Sequence, residues 1–248
     1  METKKICVLL FMLVSTQLFA QTEGTVVTYE KTFQWIKIYD KLTYLSEEER
    51  SRIKTTWGST EEGEKSKGKL YATPSQSKYV DMEQEADGGY RGRTMEYLVF
   101  RDFDKGVKTE IEEFAGKVYI IEDSLVMPKW KVMNKIKEIQ GYMCMMAVSE
   151  DTIKHQKITA WFANDIALSA GPERYMGLPG LIMEVDVNEG ELLLTAVKVE
   201  KLPVEENLAL PKKMKGKKLT SKEYDNMMQK HISDSIKSRR NPYWSIRY

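Results

Sequence analysis

From residue 24 onward, short runs of β-branched and aromatic residues alternate with polar ones and are divided by turn residues, which is the pattern of an antiparallel sheet. Val26, Val27 and Tyr29 begin a first strand. Residues 97–100, 107–114 and 117–121, separated by Asp104-Lys105-Gly106 and by Ala115-Gly116, predict a three-strand meander. Trp130 and Val132 alternate with Lys129 and Lys131 as on a half-buried strand. Two further strands are expected at 139–148 and 153–162, around residues 149–152. Residues 185–191 and 192–199 form a hairpin about Asn188-Glu189-Gly190, and the sheet continues to about Val204.

Helical signals are few and sit at defined places. Ser46 and Glu49 have the spacing of a capping box and open a short helix through Ile53. Thr220 and Glu223 repeat that spacing, and Tyr224, Met227, Met228, Ile232 and Ile236 then recur at helical intervals to about Ser238. Residues 59–68, rich in charge, Gly and Ser, are expected to be a surface loop. Lys212, Lys213, Lys215, Lys217 and Lys218 read as a solvated basic linker, with docking of an acidic partner as the alternative. The expected class is therefore mainly β (α+β): a curved antiparallel sheet, half-barrel or sandwich. It carries a short helix in its N-terminal half and an amphipathic C-terminal helix.

The first residues alter that picture of a plain folded domain. Lys4 and Lys5, the apolar run 6–14 and the small residue Ala20 have the layout of a cleavable signal peptide over residues 1–20. The run is shorter than the roughly 20 apolar residues that cross a bilayer, and charged residues interrupt every later hydrophobic stretch. The expected mature chain starts at Gln21, has one domain over 21–240 and a short tail over 241–248, and resides in the periplasm or outside the cell without spanning a membrane. The leader holds two of the 38 basic and one of the 37 acidic residues, so the remainder is neutral and nucleic acid is not an expected partner.

One cysteine, Cys144, survives cleavage and cannot bridge within the chain. It is either a buried, inert side chain or a reactive thiol, and the strong tendency of free cysteine to be buried favours the first. If strands pair through a turn at Glu150-Asp151, Met146 lies opposite His155 and Cys144 opposite Lys157. Cys144, Met146 and His155 then share a face and offer ligands for a soft metal such as Cu(I). Against this, the segment is an ordinary buried strand, since Met143, Met145 and Ala147 share the other face with Ile158, Ala160 and Phe162. On that reading no cofactor is bound, and a one-residue slip of register dissolves the cluster.

Enzymatic constellations are sparse. With only His155 and His231 present, a Ser-His-Asp triad or a His-rich zinc site has little material. His231, on the lysine-rich side of the terminal helix, reads as solvated. A carboxylate-pair hydrolase stays open, although nothing selects one pair. The turn Gly177, Leu178, Pro179, Gly180 lacks the lysine and setting of a phosphate loop. It is expected instead to bend the chain sharply and push Leu178 inward. Positive φ angles at both glycines would make replacement of either by Val strain the fold.

Residues 171–185 resemble the hallmark of the GLPGLI family of exported proteins, common in Bacteroidota. Its six-residue motif is intact at Gly177, Leu178, Pro179, Gly180, Leu181 and Ile182. Trp130, the stretch Ile139-Gln-Gly-Tyr-Met-Cys144 and Ala160-Trp161-Phe162 also match its pattern, so the resemblance spans most of the mature chain. One departure is Met145 and Met146, where family members often have Gln-Lys. The resemblance implies an envelope location, a β-rich fold and, by association, an accessory role beside a TonB-dependent outer-membrane transporter or another envelope protein. The leading expectation is a non-enzymatic binding or accessory module whose ligand or partner surface lies near Tyr142 and Trp161. A copper-binding protein and a hydrolase are the alternatives.

Overall fold

The computed structural model describes residues 23–57, 63–82 and 96–248. The leader expected at 1–20 lies outside the described residues. Twelve strands form one open sheet among them: β1 (Glu23–Phe33), β2 (Glu64–Ala72), β3 (Gln76–Asp81), β4 (Tyr97–Asp102), β5 (Val107–Phe114), β6 (Lys117–Ser124), β7 (Lys131–Ile139), β8 (Tyr142–Asp151), β9 (Gln156–Ala163), β10 (Leu181–Val187), β11 (Leu192–Pro203) and β12 (Lys217–Leu219). Their spatial order is β12-β6-β5-β4-β3-β2-β1-β11-β10-β9-β8-β7. All neighbours are antiparallel except β12, which runs parallel to β6.

Helices occupy the margins: α1 (Trp35–Asp40), α2 (Glu47–Trp57), α3 (Glu205–Leu208), α4 (Ser221–Lys237) and a 3-10 turn at Pro242–Trp244. Both expected capping boxes are present. The Ser46 amide donates to Glu49 at 2.7 Å and the Glu49 amide to the Ser46 hydroxyl at 3.2 Å. Thr220 and Glu223 satisfy each other likewise at the start of α4. That helix buries Tyr224, Met228 and Ile232 against Tyr119 and Ile121 of β6, whereas Ile236 is exposed.

The sheet curls so that its two halves face one another. Ile153, from the β8–β9 turn, packs in the same cluster as β6 and α4. The main interior cluster joins Tyr29, Tyr79 and Tyr97 to Cys144, Ala163 and Met183 across the fold. Segment 205–216 covers part of the other face: Leu98, Phe100 and Ile111 meet Leu210 and Met214, which explains why every residue of β4 is buried. The expected basic linker is thus anchored by Met214 and continues as Lys217 and Lys218 in β12, with its five lysines exposed.

Three expectations need correction. Residues 139–148 are not one strand, because Gln140 and Gly141 take positive φ and end β7 in a tight turn. Residues 64–68 belong to β2, paired with β1, rather than to a loop; residues 58–62 lie outside the described residues. The β8–β9 turn is longer than a Glu150-Asp151 hairpin. The Asp151 carboxylate accepts from the amides of Ile153 (2.8 Å) and Lys154 (2.9 Å), and His155 sits at φ +55°. These bonds shape an Asx turn over 152–155 and set the register as Glu150 opposite Lys157 and Cys144 opposite Ala163.

Candidate ligand-binding cleft and the ion network beneath it

That register separates the soft-metal trio. Trp161, not His155, lies opposite Met146. His155 is exposed at the turn, about 25 Å along the strand from Cys144 at roughly 3.3 Å per residue. Cys144 is fully buried, and burial pushes its thiol up to about 11. Among the described residues no group of three or more His, Cys, Asp and Glu converges on one point. His231 is half-buried rather than solvated: its Nε2 lies 2.9 Å from the Pro242 carbonyl, and its ring meets Phe114 edge-on at 4.9 Å.

Tyr142 and Trp161 share a face of the sheet and pack against the main cluster. The Lys137 ammonium lies 4.5 Å from the Trp161 ring centre and is paired with Glu184 at 2.5 Å. The second face of this hairpin carries Met145, Ala147, Ile158, Ala160 and Phe162 into another cluster with Leu178 and Ile182. Both faces are therefore apolar, as the sequence suggests, and both are packed.

The Gly-Leu-Pro-Gly corner bends as expected, but its two glycines act differently. Gly177 takes φ +87° beside Pro128, a conformation that L side chains resist. Gly180 is required by close approach, since a Cβ there would sit 2.2 Å from the Ala163 carbonyl oxygen. Together they turn Leu178 inward to 2% exposure and start β10 with the buried Leu181 and Ile182. Trp130 braces the outside of the corner, its indole donating to the Met176 carbonyl at 2.7 Å.

Just upstream, the same segment delivers Glu173 and Arg174 into the interior. Glu173, at φ +48°, accepts from Lys31 at 2.9 Å and from Arg247 at 2.6 Å, and its carbonyl accepts from Arg101. Arg174 pairs with Glu112 and, at 3.4 Å, with Glu110. Burial alone would raise the Glu173 carboxyl, but Arg247 and Lys31 hold it well below the usual carboxylate range. It is charged throughout the physiological range.

Residues 241–248, expected to be an uninformative tail, complete this network. Arg247 forms a two-pronged pair with Asp81 at 2.6 and 2.7 Å and lies flat over Tyr97, 3.4 Å from the ring centre. The Tyr248 hydroxyl donates to Glu191 and accepts from the Asn188 amide at 3.0 Å. The signal available in the sequence was the density of Tyr243, Trp244, Ile246 and Tyr248 around a single arginine, unusual for a solvated end.

Above the network opens a cleft of about 330 Å³. Its floor is Lys31, Asp81, Tyr97 and Arg247, and its wall is aromatic. Trp35 and Trp244 stack at 5.2 Å with planes 18° apart, Phe33 meets Trp35 at 4.7 Å, and Tyr243 meets Tyr248 edge-on at 4.9 Å. Trp244 is 52% exposed at the mouth. Hydrogen bonds fix both indoles, from Trp35 to Glu64 at 3.0 Å and from Trp244 to the Tyr39 hydroxyl at 2.6 Å. Such a site can hold a small molecule between rigid rings over a charged base. Neither Tyr142 nor Trp161 contributes to it.

Comparison with known proteins gives one match to a family. The pattern of a family described as "Protein of unknown function (Porph_ging)" matches residues 148–184. That stretch holds the β8–β9 turn, Glu173, Arg174 and the glycine-proline corner. No curated protein matches the chain. Two solved structures of PNGF-II, in space groups P21 and C2, are similar at TM-scores of 0.56 and 0.53 with 12% identity. Each match covers 83% of this chain but only 33% and 32% of the PNGF-II chains, so the chain spans about a third of their length. At that identity the likeness shows a shared fold.

Lys154 gives the network a pH signature. Its ammonium is buried and donates to the Arg247 carbonyl at 2.5 Å; burial, reinforced by Arg174, pushes its pKa down to about 8 from 10.5. Between those values the unfolded chain binds one proton more than the folded chain, so stability rises with pH. Urea unfolding is expected to show a gain of about 1–2 kcal/mol between pH 8 and 9.5, at a slope of up to about 1.4 kcal/mol per unit. Lys154→Met flattens that rise. Equal slopes in the two proteins would assign it to other groups.

Proposed function

We propose that this chain is a non-enzymatic binding module of the bacterial cell envelope, of the GLPGLI type, and that the aromatic cleft above Arg247 is its ligand site. The observation that carries this reading is the Trp35–Trp244 stack, held rigid by hydrogen bonds at the mouth of a concave site with a charged floor. The cleft falls at the small end of the usual range of ligand pockets, roughly 300–1,000 Å³. Its ionic floor is engaged in mutual pairs, which suits orientation of a ligand better than proton transfer to one. Residues 1–20 would direct export, and the resemblance favours an accessory role beside a TonB-dependent transporter or another envelope protein.

The test is native mass spectrometry of the chain purified from envelopes, beside the Trp35→Ala/Trp244→Ala variant. The wild type is expected to carry a small molecule that the variant lacks, and incubation with fresh protein should return that molecule unchanged. Equal retention by both proteins would remove the cleft as the site. Chemical conversion of the retained molecule would remove the non-enzymatic reading.

A further inference from the structure

The sheet ends differently at its two margins. β12 is three residues long, whereas β7 runs for nine, from Lys131 to Ile139, with no strand beyond it. Its outer row of backbone N–H and C=O groups is therefore open, a template for one more strand. Of the ten large hydrophobic side chains left exposed among the described residues, five lie at this margin: Val126, Met127, Val132, Ile136 and Met143. Apolar residues scattered singly over a surface need no explanation, but a group of them beside an open edge marks an interaction surface.

The register gives the two faces of β7 different chemistry. Val132 lies opposite Ala147 and Ile136 opposite Met145, so both belong to the face that carries the cluster of Phe162, Leu178 and Ile182. Met143 projects from the same face of β8, one strand inward. This apolar layer passes outward through the half-buried Met145 and Trp130 and ends uncovered at Val132 and Ile136. Met127 extends it toward the glycine-proline corner, its Sδ standing 3.4 Å from the place that a Cβ on Gly177 would occupy. Lys131 and Lys137 lie opposite Val148 and Cys144, and so project from the other face. Between the two halves of the strand, Asn134 and Lys135 form a bulge. One face of the edge is apolar and the other is basic.

We infer that β7 is the docking edge for one further strand, supplied by a partner protein and alternating apolar with acidic residues. The apolar side chains of that strand cover Val132 and Ile136, and its carboxylates meet Lys131 on the opposite face, the cross-strand pairs that select a partner. β7 holds three lysines and one glutamate. Lys137 is already paired with Glu184, whereas Lys131 and Lys135 are exposed and have no ion pair among the described residues. Lysines and a bulge are what keep an edge from joining its own copies. Lys135 stands at the middle of the strand, so antiparallel pairing with a second copy about that midpoint sets one Lys135 against the other. An acidic strand meets no such repulsion. None of the residues lining the aromatic cleft belongs to β7 or β8, so the two sites are separate.

The test uses two end-capped peptides of about ten residues, the length of a strand, one alternating valine with glutamate and the other valine with lysine. Fluorescence anisotropy measures their binding to the wild type, to Val132→Asn/Ile136→Asn and to Lys131→Glu, all changes at exposed positions, while hydrogen exchange reads the amides of β7. The wild type is expected to bind the glutamate peptide at least about tenfold more tightly than the lysine peptide, with slowed exchange along residues 131–139. The double variant should lose about tenfold in affinity for the glutamate peptide. Lys131→Glu should lose a few-fold and bind the lysine peptide better than the wild type does. No binding of the glutamate peptide, equal binding of the two peptides, binding that survives the double variant or unprotected β7 amides would overturn the proposal. So would a concentration-dependent dimer that protects β7 without peptide, since a second copy would then be the occupant. None of these readouts involves the aromatic cleft.

Discussion

Replacing Glu173 by Ala is expected to lower the free energy of unfolding by about 3–5 kcal/mol, the range found when one partner of a buried ion pair is removed. Its carboxylate is 4% exposed and holds Lys31 and Arg247, whose side chains are 13% and 11% exposed. The substitution leaves two cations in the interior, with Asp81 paired directly with Arg247 and acting on Lys31 only through space. Glu173→Gln keeps the volume and removes the charge, and is expected to lose nearly as much, which separates the electrostatic effect from a cavity. Urea unfolding at pH 7 measures both. A loss below about 1 kcal/mol, the scale of an exposed pair, would mean that water reaches the network.

Gly180→Val should be the most damaging change in the glycine-proline corner, at about 3 kcal/mol or more. The new Cβ would sit 2.2 Å from the oxygen and 2.6 Å from the carbon of the Ala163 carbonyl, backbone atoms that cannot swing aside. Gly177→Val faces a different penalty. Its φ of +87° is disfavoured for any L residue, and its nearest neighbour is the Pro128 ring at 3.1 Å, so about 1–3 kcal/mol is expected. Gly106→Val is the control, with positive φ but open space around it. Thermal melting should rank the losses as Gly180 above Gly177, and Gly177 at or above Gly106. An inverted order would show that φ rather than close approach governs the corner.

The features legible in the sequence were those set by neighbours along the chain. Ser46 with Glu49 and Thr220 with Glu223 announce helix starts because the bonds that make them span three residues. The meander of β4, β5 and β6 is legible for the same reason, its turns being short and its strands consecutive. The β8–β9 register was missed because Asp151 can close either a two-residue hairpin or the wider turn that it forms, and alternation alone does not choose between them. The ion network was invisible because its members are far apart in sequence: 142 positions between Lys31 and Glu173, and 166 between Asp81 and Arg247. Glu173 and Arg174 lie in the very segment that carries the family resemblance, yet nothing local reveals that they point inward.

The pairing of β1 with β11 joins residues 23–33 to residues 192–203, and this central seam binds the two halves of the sheet. A nascent chain can pair β1 with β2 early but leaves its other edge without β11 until most of the polypeptide has been made, and Lys31 waits longer still for Arg247 to arrive. Such late closure makes folding slow, as loops this long must be ordered before any contact rewards them. The consecutive pairs from β1 to β6 can form before that closure, so the last step joins a half-sheet already paired along its own strands to the half that β11 brings.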